Sequence, residues 1–560
     1  MTDDDIWDVA ADVVVVGSGA AGFAAAFAAQ QEGASVLMLE KAGFLGGTTA
    51  KSGAYFWIPN NHLLRERGLV DDRDRALRLL ARLSYPQAYA PDAERLGLSA
   101  LEYDLLAAFF DNAAPALQAM TDCGAFKPGL DMEMPDYCAD LPEDAVPYGR
   151  HVFPDGWRSQ QDIIAGRAVD DGGTRGEFMI AEFERQARLL GIDIRTDHRA
   201  VRLITDPDGS DEGAVSVAGL EVHHRTGTVL VRARRAVVFA SGGFAHNADM
   251  RRQFLRGPVF GGCAAESSTG DFVTIAGEVG AQLGNMGNAW WSQIALEMAL
   301  AQPSTIRDVF MPYGDSMVLV NRFGRRVVNE KMVYNERSQI HFHWDATHRE
   351  YSNLLLFQVY DDAVATNEFD NPYRVPVPMP GESVRYVVSG ETLEELADAL
   401  DARLAELADR TGGVRLDGDF AEQLRATITR FDTLAGSEVD PDFGRGDSPI
   451  QRHWIGPGRR EGMANPTMHP FAATGPYHAI ILGAGMLDTK GGPRIDAQGR
   501  VLGVRGEPIR GLYGAGNCIA SPSAQAYWSA GATLGVALTF GHIAGRAAAA
   551  EPVRAFGGLS

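Results

Sequence analysis

"DVVVVGSGAAGFAAAFAAQQEGASVLMLEK", residues Asp12 to Lys41, is the stretch from which the fold can be read. The β-branched run after Asp12 reads as a strand, and Gly17, Gly19 and Gly22 place a G-x-G-x-x-G turn directly after it. The alanine-rich segment that follows reads as a helix, and "SVLMLE" as a second strand ending on Glu40. Strand, glycine turn, helix, strand and acid in this register predict a βαβ unit that binds a dinucleotide. The glycines permit a tight turn and let a pyrophosphate approach the helix N-terminus, where Ser18, Ala20 and Ala21 complete the turn. Glu40 is placed to accept hydrogen bonds from ribose hydroxyls. A Rossmann-like module without a nucleotide is the bland alternative, and the five features in register outweigh it.

The whole chain sets bounds on the rest. Its 560 residues exceed what one core ordinarily holds, so two domains are expected. With 45% apolar and 22% charged residues the composition is that of a globular protein. A formal charge of −22 argues against a nucleic-acid surface and against anchoring on anionic lipid. The four cysteines, Cys123, Cys138, Cys263 and Cys518, form no C-x-x-C pair and read as free thiols in a reducing compartment. The acidic start "MTDDDIWD" lacks the basic region of a secretory signal, and no apolar run has spanning length, so a cytoplasmic protein is expected.

The choice of dinucleotide follows from the residues after Glu40. "EKAGFLGGTTAKSGAYFWIP" resembles the loop that passes along FAD in the flavoprotein family typified by fumarate reductase and succinate dehydrogenase flavoprotein subunits. The resemblance returns at "RARRAVVFASGGFAHN", an apolar strand ending in Ser241-Gly242-Gly243, and at "GLYGAGN", Gly511 to Asn517. It implies FAD, with Lys41, Gly46, Gly47, Thr48, Thr49, Ser52 and Gly53 along it. Ser241, Gly242, Gly516 and Asn517 would join them, with Ala532 and Leu534 at the start of the last helix. The loop "GGTTAKSGA" has no histidine of the kind that attaches FAD in the succinate dehydrogenase type, so non-covalent FAD is expected.

The fold expected is α/β: a discontinuous Rossmann-like FAD-binding domain, residues 1–295 and 479–560, with an inserted α+β substrate-capping domain over 296–478. "EVHHRTGTVLVRARRAVVFA" reads as a hairpin strand followed by the strand that returns to the cofactor, with "GSDEG" before it a polar turn. In the inserted block "MPYGDSMVLVNRFGRRVVNE" reads as strand, turn, strand, and "TLEELADALDARLAELADR" and "AEQLRATITRFDTLAG" as helices.

Within that family the chain is more similar to the 3-ketosteroid Δ1-dehydrogenases, which remove two hydrogens from the A ring of a 3-ketosteroid. "ASGGFAHNADMRRQF", "STGD" with "AWW" after it, "NRFGRRVVNEKMVYNE" and "GPYHAIILGAGMLDTKGGPRID" carry the resemblance. It implies Tyr334 as the catalytic base, and Tyr527 with Gly531 as the pair that grips the substrate ketone. "PDYCADLPEDAVPYGRHVFP" is similar to the stretch with a helper tyrosine, Tyr137, with Tyr148 and Tyr103 as rivals. The chemistry asks for such groups. Removing an α-proton builds enolate charge on the carbonyl oxygen, which the Tyr527 hydroxyl and a helix-initial Gly531 N–H can meet as an oxyanion hole. A tyrosine's ordinary pKa near 10 calls for a neighbour, such as the Tyr137 hydroxyl, to stabilise the Tyr334 phenolate.

The sequence departs from that family between the tyrosine and the glycine, where Trp528-Ser529-Ala530 replaces the usual proline and glycine. The serine would add a hydroxyl near the ketone. Tyr-x-Ser resembles the related Δ4-(5α)-dehydrogenases, so regiochemistry, and a bulky cyclic ketone other than a steroid, stay open. An ene-reductase of the fumarate or urocanate reductase kind is the competing class. The partners expected are an apolar ketone and an electron acceptor left open, a quinone among the candidates. "ERSQIHFHWD" reads as a packed or solvated strand rather than a metal site, Tyr55 as structural, and "AWW" as packing or a cavity wall.

Overall fold

The structure is a computed structural model that describes residues 6–157, 173–206, 215–304, 312–369, 371, 373–456 and 458–554. The turn expected at "GSDEG" lies outside the described residues. The chain divides into two compact units. The first comprises Met1–Leu255, Ala264–Trp290 and Asp488–Ser560, the second Arg256–Cys263 and Trp291–Leu487. The second unit thus differs from the block 296–478 read from sequence. The strand Tyr477–Thr489 runs unbroken to the junction, and Gly261–Gly262 pairs beside it in parallel, Gly261 opposite Gly485.

The first unit is built on an eight-stranded sheet. Its main path runs Arg500–Leu502, Pro508–Gly514, Gly227–Phe239, Val9–Val16, Val36–Leu39 and Asp193–Arg195. Val9–Val16 pairs in parallel on both sides, Val13 against Val36 and Val16 against Phe239. Val13, Val14 and Val15 have no exposed surface, as expected of a central parallel strand covered on both faces. The hairpin appears as Val217–His224 and Gly227–Phe239, with Arg199–Thr205 beyond it.

Two helices lie against this sheet in close contact, Ala20–Gln31 and Ala532–Ala550. Their small residues explain how near they come. A Cβ added at Gly541 would stand 2.4 Å from the Ala21 carbonyl oxygen, and one at Gly545 2.2 Å from that of Ala25. The backbones meet where a larger residue would force them apart.

The second unit holds a six-stranded sheet whose path is Gly261–Gly262, Tyr477–Thr489, Leu355–Asp361 and Met317–Val320. Ala289–Ala295 and Val387–Gly390 pair with Tyr477–Thr489 as well. Leu355–Asp361 runs antiparallel to Tyr477–Thr489, Leu356 opposite Leu482. The helices Leu393–Glu406 and Phe420–Ala435 bury Leu396, Leu400, Leu404, Leu424 and Phe431 in one apolar cluster with Val318, Phe357 and Ile481.

Two elements differ from the sequence reading. After Met317–Val320 and its turn the second strand is a single bridge, Val320 to Arg326. Buried ionic contacts take its place: Glu330 lies 2.7 Å from Arg326 and 3.3 Å from Arg445. "ERSQIHFHWD" is mostly helical, Tyr334–Ser338 followed by a 3-10 turn Gln339–Phe342. His341 is buried there between Gln293 and the Asn353 carbonyl oxygen, at 2.9 and 2.8 Å. Its alternation came from burial on one side of a short helix, not from a strand.

Candidate active site

A cavity opens in the first unit around the glycine turn. Gly17, Ser18, Gly19, Ala20, Ala21, Glu40, Lys41, Gly46, Gly47, Thr48 and Thr49 line it, with Ser241, Gly242, Gly516, Asn517 and Leu534. Of the residues expected at the cofactor, Gly22, Ser52, Gly53 and Ala532 do not line it. Gly22 instead backs the turn: its Cβ would fall 2.0 Å from the Gly17 carbonyl oxygen. Ser52 caps the loop, donating to the Thr49 carbonyl at 2.7 Å and accepting from Ala54 N–H at 3.1 Å.

The walls suit an anionic dinucleotide. The helix Ala20–Gln31 starts at Gly19 with no acid in its first turn; Thr49 Oγ1 accepts from the Ala20 N–H at 3.1 Å, and the positive end of the helix faces the cavity. Gly17 has φ +105° and its Cβ would lie 2.4 Å from the Ala240 carbonyl oxygen, so only glycine fits there. One hydroxyl at the cavity, Thr533 Oγ1, is buried without a hydrogen-bond partner among the described residues. An orphaned donor of this kind calls for a polar ligand.

Glu40 braces the turn as well. One carboxylate oxygen accepts from Ser18 N–H at 3.1 Å and Ser18 Oγ at 2.7 Å, the other from Ala42 N–H at 2.9 Å. The oxygen bound to Ala42 keeps a further lone pair for a ribose hydroxyl. Lys41 reaches Thr269 Oγ1 at 2.7 Å and Asp271 at 3.0 Å. Burial pushes the Asp271 carboxyl up, but Lys41 and Arg199 outweigh it and hold its pKa below the usual value. His198, Arg199, Ser267, Ser268 and Asp271 line the cavity without having been singled out from sequence. Of these, only Ser268 and Asp271 carried a signal, in the "STGD" motif.

The segment after the cavity brings two of the expected tyrosines together. Tyr527, 7% exposed, meets the Tyr137 ring edge-on at 5.6 Å and the Trp290 ring at 5.0 Å. The Trp290 indole donates to Asn517 Oδ1 at 2.9 Å, which ties Tyr527's neighbour to the cofactor cavity. Lys490 Nζ donates to the Ala526 carbonyl at 2.6 Å and stands 3.6 Å from the Trp290 ring centroid. Gly531 caps the helix Ala532–Ala550 with φ +81° rather than forming its first turn. Its Cβ would stand 2.4 Å from the Tyr55 carbonyl oxygen, and its N–H has no hydrogen-bond acceptor among the described residues. Thr533 and Leu534, just beyond it, line the cavity.

Trp528 packs away into the core, its indole donating to Ser84 Oγ at 2.9 Å and its ring 4.8 Å from that of Phe109. Ser529 Oγ accepts from Tyr137 N–H at 3.2 Å and lies 2.8 Å from His151 Nε2.

Tyr334 belongs to the second unit. It is 3% exposed, opens the helix Tyr334–Ser338 and stacks on Trp454 with ring centroids 6.3 Å apart. Arg337 beside it is buried, donating to Gln293 Oε1 at 2.5 Å and to the Met332 carbonyl at 2.6 Å. Burial lowers its pKa to about 9 and that of His341 to about 4.

Comparison with known proteins agrees with this geometry. The model of the FAD binding domain family matches residues 12–534. A 4-oxocyclohexanecarboxylate 2-dehydrogenase of Sinomonas cyclohexanicum is 31% identical over 96% of this chain and 93% of its own. A 3-oxosteroid 1-dehydrogenase of Mycolicibacterium smegmatis is 30% identical over 95% of this chain and 96% of its own. Among solved structures, 3-ketosteroid delta1-dehydrogenase from Sterolibacterium denitrificans, in complex with 1,4-androstadiene-3,17-dione, superposes with a TM-score of 0.79. It is 26% identical, over 97% of this chain and 99% of that one. The chain therefore belongs to the FAD binding domain family and is an FAD-dependent oxidoreductase. Among the described residues no helix is long and apolar enough to cross a membrane.

Proposed function

We propose that the chain is a dehydrogenase of cyclic ketones that introduces a C=C bond next to the carbonyl, with 3-ketosteroid 1,2-desaturation as its leading form. Bound FAD supplies the acceptor for the hydride. In this reading Tyr334 takes the α-proton, and Tyr527 and the Gly531 N–H hold the carbonyl oxygen as it gains charge. Tyr137 supports the phenols. FAD is held without a covalent bond by the cavity residues named above. The electron acceptor that returns the flavin to its oxidised state belongs to this reading only as a class, a quinone being one member.

The observation that carries the proposal is the placement of Tyr527 and Gly531. A buried phenol and an unpaired, glycine-only N–H stand immediately before the helix turn that lines the cofactor cavity. A dicarboxylate would call for a cationic side chain beside these donors. Arg150, in the strand-loop region next to Tyr137, is bound by Asp71, Asp136 and Asp144, which leaves it unsuited to clamp an anion. Both named relatives act on a ring bearing a ketone, one with a carboxylate on it. A monocyclic oxo-acid is therefore the second substrate to try.

Turnover with an artificial electron acceptor tests the reading. A 3-ketosteroid or 4-oxocyclohexanecarboxylate should yield the α,β-unsaturated ketone, identified by NMR. Formation of no enone from either ring, with reduction of an enoate such as fumarate by reduced enzyme, would overturn it in favour of the ene-reductase class.

A further inference from the structure

Tyr137 sits in the connection between the strands Pro128–Asp131 and His151–Pro154, which has no helix or strand of its own. A loop of that kind holds a side chain in place only through anchors. One anchor is the Arg150 guanidinium, buried at the loop's end. It binds Asp71 at 2.6 Å, Asp144 at 2.5 Å, and Asp136, the residue before Tyr137. Asp136 also accepts from the Trp57 indole at 2.8 Å. This clamp fixes the loop as a body, yet none of its contacts involves the peptide of Tyr137.

The second anchor does. Ser529 Oγ, two residues past Tyr527, accepts the Tyr137 N–H at 3.2 Å. His151 Nε2 lies 2.8 Å from the same Oγ and 3.4 Å from Asp136 Oδ1. A hydroxyl can accept from the peptide and still exchange a hydrogen bond with the imidazole in either tautomer, so the bridge holds whichever ring nitrogen carries the proton. Burial lowers the His151 pKa to about 4, which keeps the ring neutral at ordinary pH.

We propose that His151, through Ser529, is a positioning residue that sets where Tyr137 stands against Tyr527. It rests on the reading of the chain as a ketone dehydrogenase, in which both phenols serve the substrate. It goes beyond that reading by assigning a task to a histidine and a serine that touch neither cofactor nor ketone in it. The Arg150 clamp survives loss of His151, so the loop stays folded while Ser529 Oγ, which holds the Tyr137 N–H, loses the imidazole that orients it. Misplacement of a reacting group by about 1 Å can cost on the order of a hundredfold, and a partial loosening less.

The test uses FAD-loaded enzyme carrying His151→Leu or His151→Gln, each alone and with Tyr137→Phe. The glutamine amide can restore a hydrogen bond to Ser529 Oγ, and the leucine cannot. His151→Leu should slow flavin reduction at saturating ketone about tenfold while ketone affinity changes less than about threefold, and His151→Gln should recover most of the rate. In the Tyr137→Phe background the leucine should cost less than about twofold, because both changes disable one unit. Full additivity of the two losses would overturn the proposal. A second readout, independent of turnover, is the ¹⁹F resonance of 3-fluorotyrosine placed at position 137. It should shift or split in His151→Leu and keep its position in His151→Gln; an unmoved resonance in the leucine variant would overturn the proposal. If no ketone reduces even the unaltered enzyme, the functional reading falls and the fluorine result alone decides the positioning. If His151→Leu does not fold, Ser529→Ala, which breaks the same bridge, takes its place under the same criteria.

Discussion

Tyr527 has aromatic edges on two sides, Tyr137 and Trp290, so its ring is held in place. A neutral ketone gains only about 1 kcal/mol from one hydrogen bond, whereas a developing enolate gains on the order of 3 kcal/mol from an oxyanion donor. Tyr527→Phe should therefore lower the rate of flavin reduction about a hundredfold or more, with ketone affinity changed far less. Rapid mixing separates the two quantities, and a collapse of affinity at an intact rate would make Tyr527 a packing residue. For Tyr334→Phe the expectation is a drop of roughly 10²- to 10⁴-fold in the same rate with FAD content unchanged. A loss of only a few-fold would move the proton to another base. Motif context marks both tyrosines among fifteen as candidates, but it does not mark the bridge behind Tyr137. His151 and Ser529 are 378 positions apart, and no spacing rule connects them.

At the scale of elements the glycine turn carries the most weight. A methyl at Gly17 would lie 2.4 Å from the Ala240 oxygen, backbone that cannot swing aside, in a φ region costly for alanine. Gly17→Ala should leave a protein that purifies with little FAD, measured by flavin absorbance per chain; a full complement would contradict the cradle described here. This turn was legible because local chemistry dictates it: a β-branched strand, obligatory glycines and a helix follow one another within a few residues. The strand expected after Met317–Val320 was not legible for the opposite reason. Glu330 is committed to Arg326 and Arg445, and Arg445 lies 115 residues away in sequence, so the pairing that displaced the strand is tertiary. The short helix at Tyr334 was hidden in the same way, its alternation set by burial of Asn335, Arg337, Ser338 and His341.

Across the whole molecule, buried ionisable groups make stability depend on pH. His151, His341 and His542 have pKa values lowered to about 4 by burial, against 6.5 when unfolded. The unfolded chain therefore binds more protons between those values, and stability falls as pH drops from 6.5 to 4. Asp144 and Asp488 are raised to about 6, chiefly by burial, so each contributes in the opposite sense between its unfolded value of 3.8 and 6. Asp271 and Asp315, whose pKa values are lowered by their cationic partners, lose stabilisation as pH falls further. Among the described residues the histidines and carboxyls with lowered pKa values outnumber the groups with raised ones, Asp136, Asp144, Asp432, Asp488 and His348, so the melting temperature should be lower at pH 4.5 than at pH 7; an equal or higher value would show that the imidazoles are not buried as described.

The most direct test of the central claim is anaerobic mixing of the FAD-loaded enzyme with 3-ketosteroids and 4-oxocyclohexanecarboxylate, followed by flavin absorbance. Ketone dehydrogenation with Tyr527 as an oxyanion donor requires that at least one of these ketones bleach the flavin in a single turnover, and that Tyr527→Phe slow the bleaching about a hundredfold or more. Flavin that stays yellow with every ketone, or a Tyr527→Phe variant that bleaches as fast as the unaltered enzyme, would contradict it.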